Sequence, residues 1–478
     1  MPSKSSMPAS RRAWLRPLVA ALALSWLSAC NSTRKLLKQA EEYMADGRYP
    51  AAVRTYDKVL KKRPGEPRAL VGLARAWLET NQPEKAVTPA QVAAETQVAG
   101  GREVFVDALL ANGRGASAVD LAGELADSSP DPIAWRRLTE VRLAAGNTKG
   151  AVASAEKSLE LGGGSQAQAL AAWTHARRGN CGRATSLAGR AATGASENIV
   201  VQAEAAAVFR QCLDAAQAQA ASSTARTLLN RGPFKEEEEA LRRQKGGDLE
   251  GALRRLSWLR SVYPEEGAYA RHLGILWADA KVWGRAEAEL VAALNLPPFA
   301  VATSAAGVQF ADRRSEQLSP DQRQAAVAQI WGELSRVRGK SGDIDGMAEA
   351  LEQRARATRS TDAQDWLKAA QAWALSRNPS KGVDAALRAV DMAPDSYEAR
   401  KVATIVLVNA GILDRAIGHG RNAWAIRPGD PDLALILARL HIQRGELRDA
   451  RAILTAGIKT NPTDPRLRDA LRRLDQDR

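Results

Sequence analysis

An all-α fold of stacked helix pairs is predicted by three features of the sequence. Small residues recur at a spacing of 34, as in Gly411 and Gly445 or Ala416 and Ala450, and a period of that length is the mark of stacked helical units. Glycines (Gly47, Gly113, Gly146, Gly179, Gly247) and prolines (Pro64, Pro130, Pro264, Pro298, Pro394, Pro428, Pro462) keep step with them. They supply left-handed turn residues and helix stops. Alanine is abundant and runs of valine and isoleucine are few, which favours helix over strand. A chain of 478 residues would ordinarily hold about three domains. A repeat array overrides that count, because each unit needs only its neighbours to bury its face.

Residues 1–29 read as an address and stand apart from the fold. Arg11, Arg12 and Arg16 form a positive region, and Leu18 to Leu27 is an apolar run too short to span a bilayer comfortably. Leu27-Ser28-Ala29-Cys30 follows and resembles the lipobox of bacterial lipoproteins. The resemblance implies cleavage before Cys30, acylation of its sulfur and new amino group, and a lipidated tether over 30–32. Several acyl chains anchor a protein stably where a single chain is marginal. An ordinary signal peptide with a chance cysteine is the alternative. Asn31 stands where an aspartate would favour the inner membrane, so the resemblance points to the outer membrane, with the chain facing the periplasm. Ser10 to Arg16 resembles a twin-arginine export motif, which leaves Sec and twin-arginine export both open.

From residue 33 the lattice begins at once. Leu36, Ala40, Tyr43, Gly47, Ala52, Tyr56, Val59 and Pro64 fall at offsets 4, 8, 11, 15, 20, 24, 27 and 32. Paired helices cross at offsets 8 and 20, where only small side chains allow close approach. The crossing alanine recurs from Ala52 to Ala450, and Gly382 takes its place in one copy. This position set closely resembles the tetratricopeptide repeat (TPR). The resemblance implies a TPR-type α-solenoid, a right-handed superhelix of about 12 helix pairs. It divides into an N-terminal array over 33–298, degenerate helical repeats over 299–362, a C-terminal array over 363–464 and a capping helix over 465–478. In the degenerate zone, 321–339 reads as one longer helix and Gly342 and Met347 open another. Residues 221–233 are a loose point. The cap carries Arg466, Arg468, Arg472 and Arg473, the wettable face that a terminal unit needs.

Residues suited to catalysis or metal binding are sparse. His175, His272, His419 and His441 share no ligand spacing, and no Walker loop, GxSxG or dinucleotide fingerprint occurs. No cofactor, metal site or catalytic residue is expected. Glu236 to Glu239 opens a helix, with Glu238–Arg242 and Glu239–Arg243 as supporting pairs. Cys181 and Cys212 fall at offsets 17 and 14 of successive repeats, at helix ends that adjoin in a stacked array. In an exported protein they should be oxidised, so a Cys181–Cys212 disulfide is expected, with two buried free thiols as the alternative.

In the repeats that the chain resembles, offsets 2, 5, 9 and 12 of each first helix line the concave side. The resemblance therefore implies a partner-binding groove with Leu37, Glu41 and Met44, then Arg68, Val71 and Arg75, then Arg136 and Glu140, then Arg271 and Ile275. Trp173, at offset 9, is a candidate binding aromatic, whereas Trp77, Trp135, Trp277, Trp366 and Trp373 fall at packing positions. A mixed apolar and basic channel suits an extended or helical peptide with acidic residues. The net charge of +14, or +10 after residue 29, fits solvated helix faces and also attraction to an anionic surface. Nucleic acid does not fit the compartment. The expected function is that of a non-enzymatic outer-membrane lipoprotein scaffold. It binds the protein components of an envelope machine for motility, pilus assembly or secretion. The alternative is a glycan-binding factor in exopolysaccharide or peptidoglycan handling. Fold analogy does not choose between them.

Overall fold

The structure, a computed structural model, describes residues 32–228, 234–296, 319–358 and 362–476. The leader, Cys30, Pro298 and residues 299–318 lie outside them. Among the described residues every regular element is a helix. The chain divides into two compact units between Tyr263 and Pro264, a boundary inside the span that the sequence presents as one array.

In the first unit, α1 (32–45) pairs with α2 (Tyr49–Lys62), and α3 (Pro67–Glu79) with α4 (Pro83–Glu95). Then come α5 (Gly101–Ala111) with α6 (Val119–Ser128), and α7 (Pro132–Ala144) with α8 (Thr148–Glu160). The series continues with α9 (Gly164–Arg177) and α10 (Cys181–Gly194), α11 (Ile199–Gln211) and α12 (Ala215–Leu228), and α13 (Phe234–Gly246) and α14 (Leu249–Val262). The first helices of successive pairs, α3, α5, α7, α9 and α11, pack side by side as an inner row.

The second unit holds α15 (Gly267–Asp279) with α16 (Trp283–Leu294), α17 (Pro320–Ser341) with α18 (Ile344–Ala357), and α19 (Ala363–Leu375) with α20 (Val383–Met392). It ends with α21 (Tyr397–Asn409) and α22 (Leu413–Ile426), α23 (Pro431–Gln443) and α24 (Leu447–Thr460), and the cap α25 (Pro465–Gln476). The described part of the degenerate zone is thus a single pair. Its long first helix, of 22 residues, starts at a capping box in which Ser319 and Gln322 satisfy each other's backbone amides. The cap α25 buries Leu467 and Leu474 against Ala434, Ala438, Ala450 and Leu454 and leaves its arginines exposed.

Close packing explains the small-residue column. Ala52, Ala86, Ala118, Ala151, Ala184, Ala252, Ala286, Ala416 and Ala450 are each at most 1% exposed. Ala218 is the exception: it is half-buried, and α12 buries only Ala221 and Ala225. Gly382 replaces alanine for a visible reason, since a Cβ there would lie 2.4 Å from the Cβ of Trp373. The turn inside most pairs takes a left-handed residue; the α19–α20 turn, with Ser376 and Asn378 at φ of -79° and -122°, does without one. Gly47, Gly146, Gly411 and Gly445 have φ between 69° and 76°, and Asn81, Leu213 and Lys281 adopt φ of 60°, 64° and 59° at the same lattice position.

The pair α13–α14 breaks the stacking order. In a continuing array α13 would sit on α11 and α12. Instead α14 packs on α11, α12 and α7, while α13 reaches α5. This return of the last pair onto the inner row closes the first unit at Tyr263.

Two substitutions separate turn strain from crossing distance. Leu213 is 91% exposed, so Leu213→Gly relieves its backbone with little loss of packing and should stabilise the protein by roughly 0.5–1 kcal/mol. Gly382→Ala should destabilise by about 1–3 kcal/mol through overpacking. Urea denaturation of both variants checks the signs.

Candidate functional site

The groove of the first unit is largely filled by the chain itself. From Leu256 to Val262 every residue of α14 is buried. Its side chains meet the inner row in charge pairs. Arg254 donates to Glu140 of α7 at 3.2 Å and to Glu204 of α11 at 2.5 Å. Glu250 accepts two bonds from Arg177 of α9, at 2.7 and 2.5 Å. At the start of α14, Arg243 donates to Asp248 at 2.9 Å and pairs with Glu239 at 2.8 Å. α13 lies against the turns of earlier pairs: Asn81 donates to Glu238 and accepts from Arg242. The i,i+4 pair expected between Glu238 and Arg242 is therefore replaced by a bridge through Asn81, while Glu239–Arg243 forms as expected. Close approach at the next turn needs glycine on both sides, because a Cβ on Gly113 would meet the Arg243 carbonyl oxygen at 2.7 Å and one on Gly246 the Asn112 carbonyl oxygen at 2.3 Å.

Burial alone would raise the pKa of Glu239, but Arg255 and Arg243 outweigh it and bring it down to about 2. Glu140 is likewise held below its ordinary value, with burial opposed by Arg254, Arg243 and Arg136. For Asp248 burial prevails over Arg243, and its pKa is raised.

The open part of the groove lies at the first pairs. A recess of about 650 Å³ is lined by Glu41, Met44, Arg68, Val71, Arg75 and the 96–99 segment, together with Tyr56, Pro67 and Gly72. Arg68 Nη2 donates to both carboxylate oxygens of Glu41, at 2.6 and 2.7 Å, and its charge is thereby matched. Arg75 is exposed and forms no ion pair among the described residues. It rests beside Gly100, whose left-handed φ of 77° ends the 96–99 segment and where a Cβ would lie 3.2 Å from Arg75 Nη2. Burial, then Glu41, raises the pKa of Tyr56. The recess offers an apolar wall, one engaged carboxylate and one unengaged guanidinium.

The other residues expected in the groove are placed as follows. Leu37 is buried with Ala40, Ala52 and Tyr56 in the core of the first pairs, so it packs and does not line the recess. Trp173 is 1% exposed. It stands one turn before Arg177 in a stretch of α9 that is buried on nearly every face, and is a core residue instead of a binding aromatic. Arg136 donates to Gln166 of α9. In the second unit Arg271 donates to Gln329 of α17 at 2.7 Å, and Ile275 is half-buried. Cys181 and Cys212 form a disulfide with a Cα–Cα distance of 5.4 Å. Missing from the sequence reading are the closure by α13–α14 and the lining by residues 96–99. Among the described residues His441, Glu446 and Asp449 have metal-ligand proximity, but Arg444 pairs with Glu446 and Arg421 with Asp449.

The chain carries tetratricopeptide repeats. Residues 37–100 and 104–166 match one family model described as tetratricopeptide repeat, and residues 407–474 match another. No curated protein matches the chain. Solved structures similar to it include YrrB, a TPR protein with an unusual peptide-binding site, at 16% identity over 45% of this chain and 96% of that one, with a TM-score of 0.31. The Cut9–Hcn1 hetero-tetramer of the APC/C is similar at 11% identity over 94% of this chain and 98% of that one, with a TM-score of 0.29. MamA is similar at 16% identity over 41% and 93% of the two chains, with a TM-score of 0.29. These scores are low, and the repeat assignment rests on the family matches.

Removing Arg254 would strand two acids in the interior. Arg254→Met should cost roughly 3–5 kcal/mol in urea denaturation, and adding Glu140→Leu and Glu204→Leu should restore much of it. Glu239 also makes stability depend on pH. Its folded pKa of about 2 is below the ordinary 4.5, so its contribution is present above that ordinary value and is lost as the pH falls towards the folded one. The urea midpoint should drop across this window, and Glu239→Gln should flatten the drop.

Proposed function

We propose that the chain is a non-enzymatic scaffold that holds a segment of a partner protein in the α1–α5 recess while a lipid on Cys30 keeps it at the outer membrane, facing the periplasm. The unpaired Arg75 beside the apolar Met44 and Val71 carries this reading. An extended acidic segment satisfies both, with its carboxylate on the guanidinium and an apolar side chain on the wall. The lipobox-like Leu27 to Cys30 supports the anchor, and the disulfide agrees with an oxidising compartment. Among the described residues no helix is long and apolar enough to cross a membrane. The partners are envelope proteins of a multi-protein complex, in motility, pilus assembly or secretion. A glycan-binding role has less support, because Trp173, the groove aromatic it called on, is in the core.

Two variants in cells test the reading. Cys30→Ala should move the protein from the membrane to the soluble fraction. Arg75→Glu should stay with the membrane and lose the proteins that co-purify with the native chain. Membrane retention without Cys30, or unchanged partners with Arg75→Glu, contradicts it.

A further inference from the structure

The second unit holds a recess that the reading above does not use. It lies between α21 and α23, has a volume of about 470 Å³, and is lined chiefly by Ile405, Val408, Leu413, Ile436, Arg439 and Leu440. Its floor belongs to the core cluster of Leu407, Ala416, Ile417 and Leu440, against which Val408, Leu413 and Ile436 are only partly covered. Arg439 is exposed at its edge and forms no ion pair among the described residues. Other cations of this unit are engaged, among them Lys401 with Asp430, Arg444 with Asp414 and Glu446, and Arg466 with Asp432 and Asp464. No carboxylate lines the recess.

Arg439 stands eight residues after Pro431, as Arg75 stands eight after Pro67. Both occupy offset 9 of their repeats, at the edge of an apolar recess completed by the preceding first helix. Met44 of α1 has that part in one unit, Ile405 and Val408 of α21 in the other. We propose that the α21–α23 recess is a second docking site, for a partner-protein segment that places an apolar side chain next to a carboxylate. The apolar floor excludes water from the one and Arg439 pairs with the other. A basic segment is repelled, and a polyanion without apolar groups leaves the floor uncovered. The site depends on the proposed function only for the class of ligand, and it works without the α1–α5 recess.

The probe is a random peptide display library selected on the immobilised full chain, with selected peptides then measured on native, Arg439→Glu, Ile436→Ser and Arg75→Glu proteins of matched thermal stability. One enriched family should carry Asp or Glu beside an apolar residue. It should bind native and Arg75→Glu proteins alike, and weaken at least about tenfold with Arg439→Glu and with Ile436→Ser. Exchanging its acid for lysine should restore binding to Arg439→Glu. Acidic peptides that respond only to Arg75→Glu overturn this site and leave the proposed function standing. Peptides that respond only to Arg439→Glu uphold this site and count against the α1–α5 recess. An absence of enriched acidic peptides, or indifference to Arg439→Glu, overturns it.

Discussion

The insertion of α14 among α7, α9 and α11 governs what the first unit can be. Two kinds of force act there, and their magnitudes differ. Leu253, Leu256, Trp258 and Leu259 are each at most 1% exposed, and each contributes about 1.5–3 kcal/mol by leaving water. The buried charge pairs add little net stability, because desolvation consumes most of their attraction. Burial therefore holds α14 in place, while the pairs fix its register. Arg254 fits only where Glu140 and Glu204 both face it, and Glu250 only where Arg177 does.

This closure changes what the repeats can offer a partner. An inner row of first helices is an open channel only until something lies in it. In the first unit α13–α14 occupies the face presented by α7 to α11, and the free surface contracts to the recess at α1–α5. The two acids that an incoming basic helix would need, Glu140 and Glu204, are already matched by Arg254. What remains accessible has the opposite sign, in Arg75. The disulfide ties α10 to the end of α11, and so braces the helix on which α14 rests.

Much of this was legible in the sequence, and the reason is locality. The lattice of Ala52 to Ala450 reports contacts between helices adjacent in the chain, so spacing alone locates them. The turn column was equally readable, although Asn81, Leu213 and Lys281 show that the left-handed backbone is imposed by the fold and not by glycine. The long helix α17 and the start of α18 were legible from Ala325, Ile330, Leu334 and Val337 and from Gly342. The closure was not legible, because it joins residues as distant as Glu140 and Arg254 and no periodicity encodes such a contact. A local hint existed in Gly246, whose missing Cβ permits close approach to the α5–α6 turn. Leu37 and Trp173 were misplaced because position within a repeat gives only a nominal direction: Leu37 is taken up by the core of the first pairs, and α9 is buried on nearly every face, Trp173 included.

Hydrogen exchange followed residue by residue addresses the closure most directly. If α14 is an integral part of the first unit, the amides of Leu256 to Val262 exchange only with global unfolding, at the same free energy as those of α7 and α11. Exchange of α14 through a cheaper opening that leaves α7 and α11 protected would show that the groove is merely covered, and would contradict the closed first unit described here.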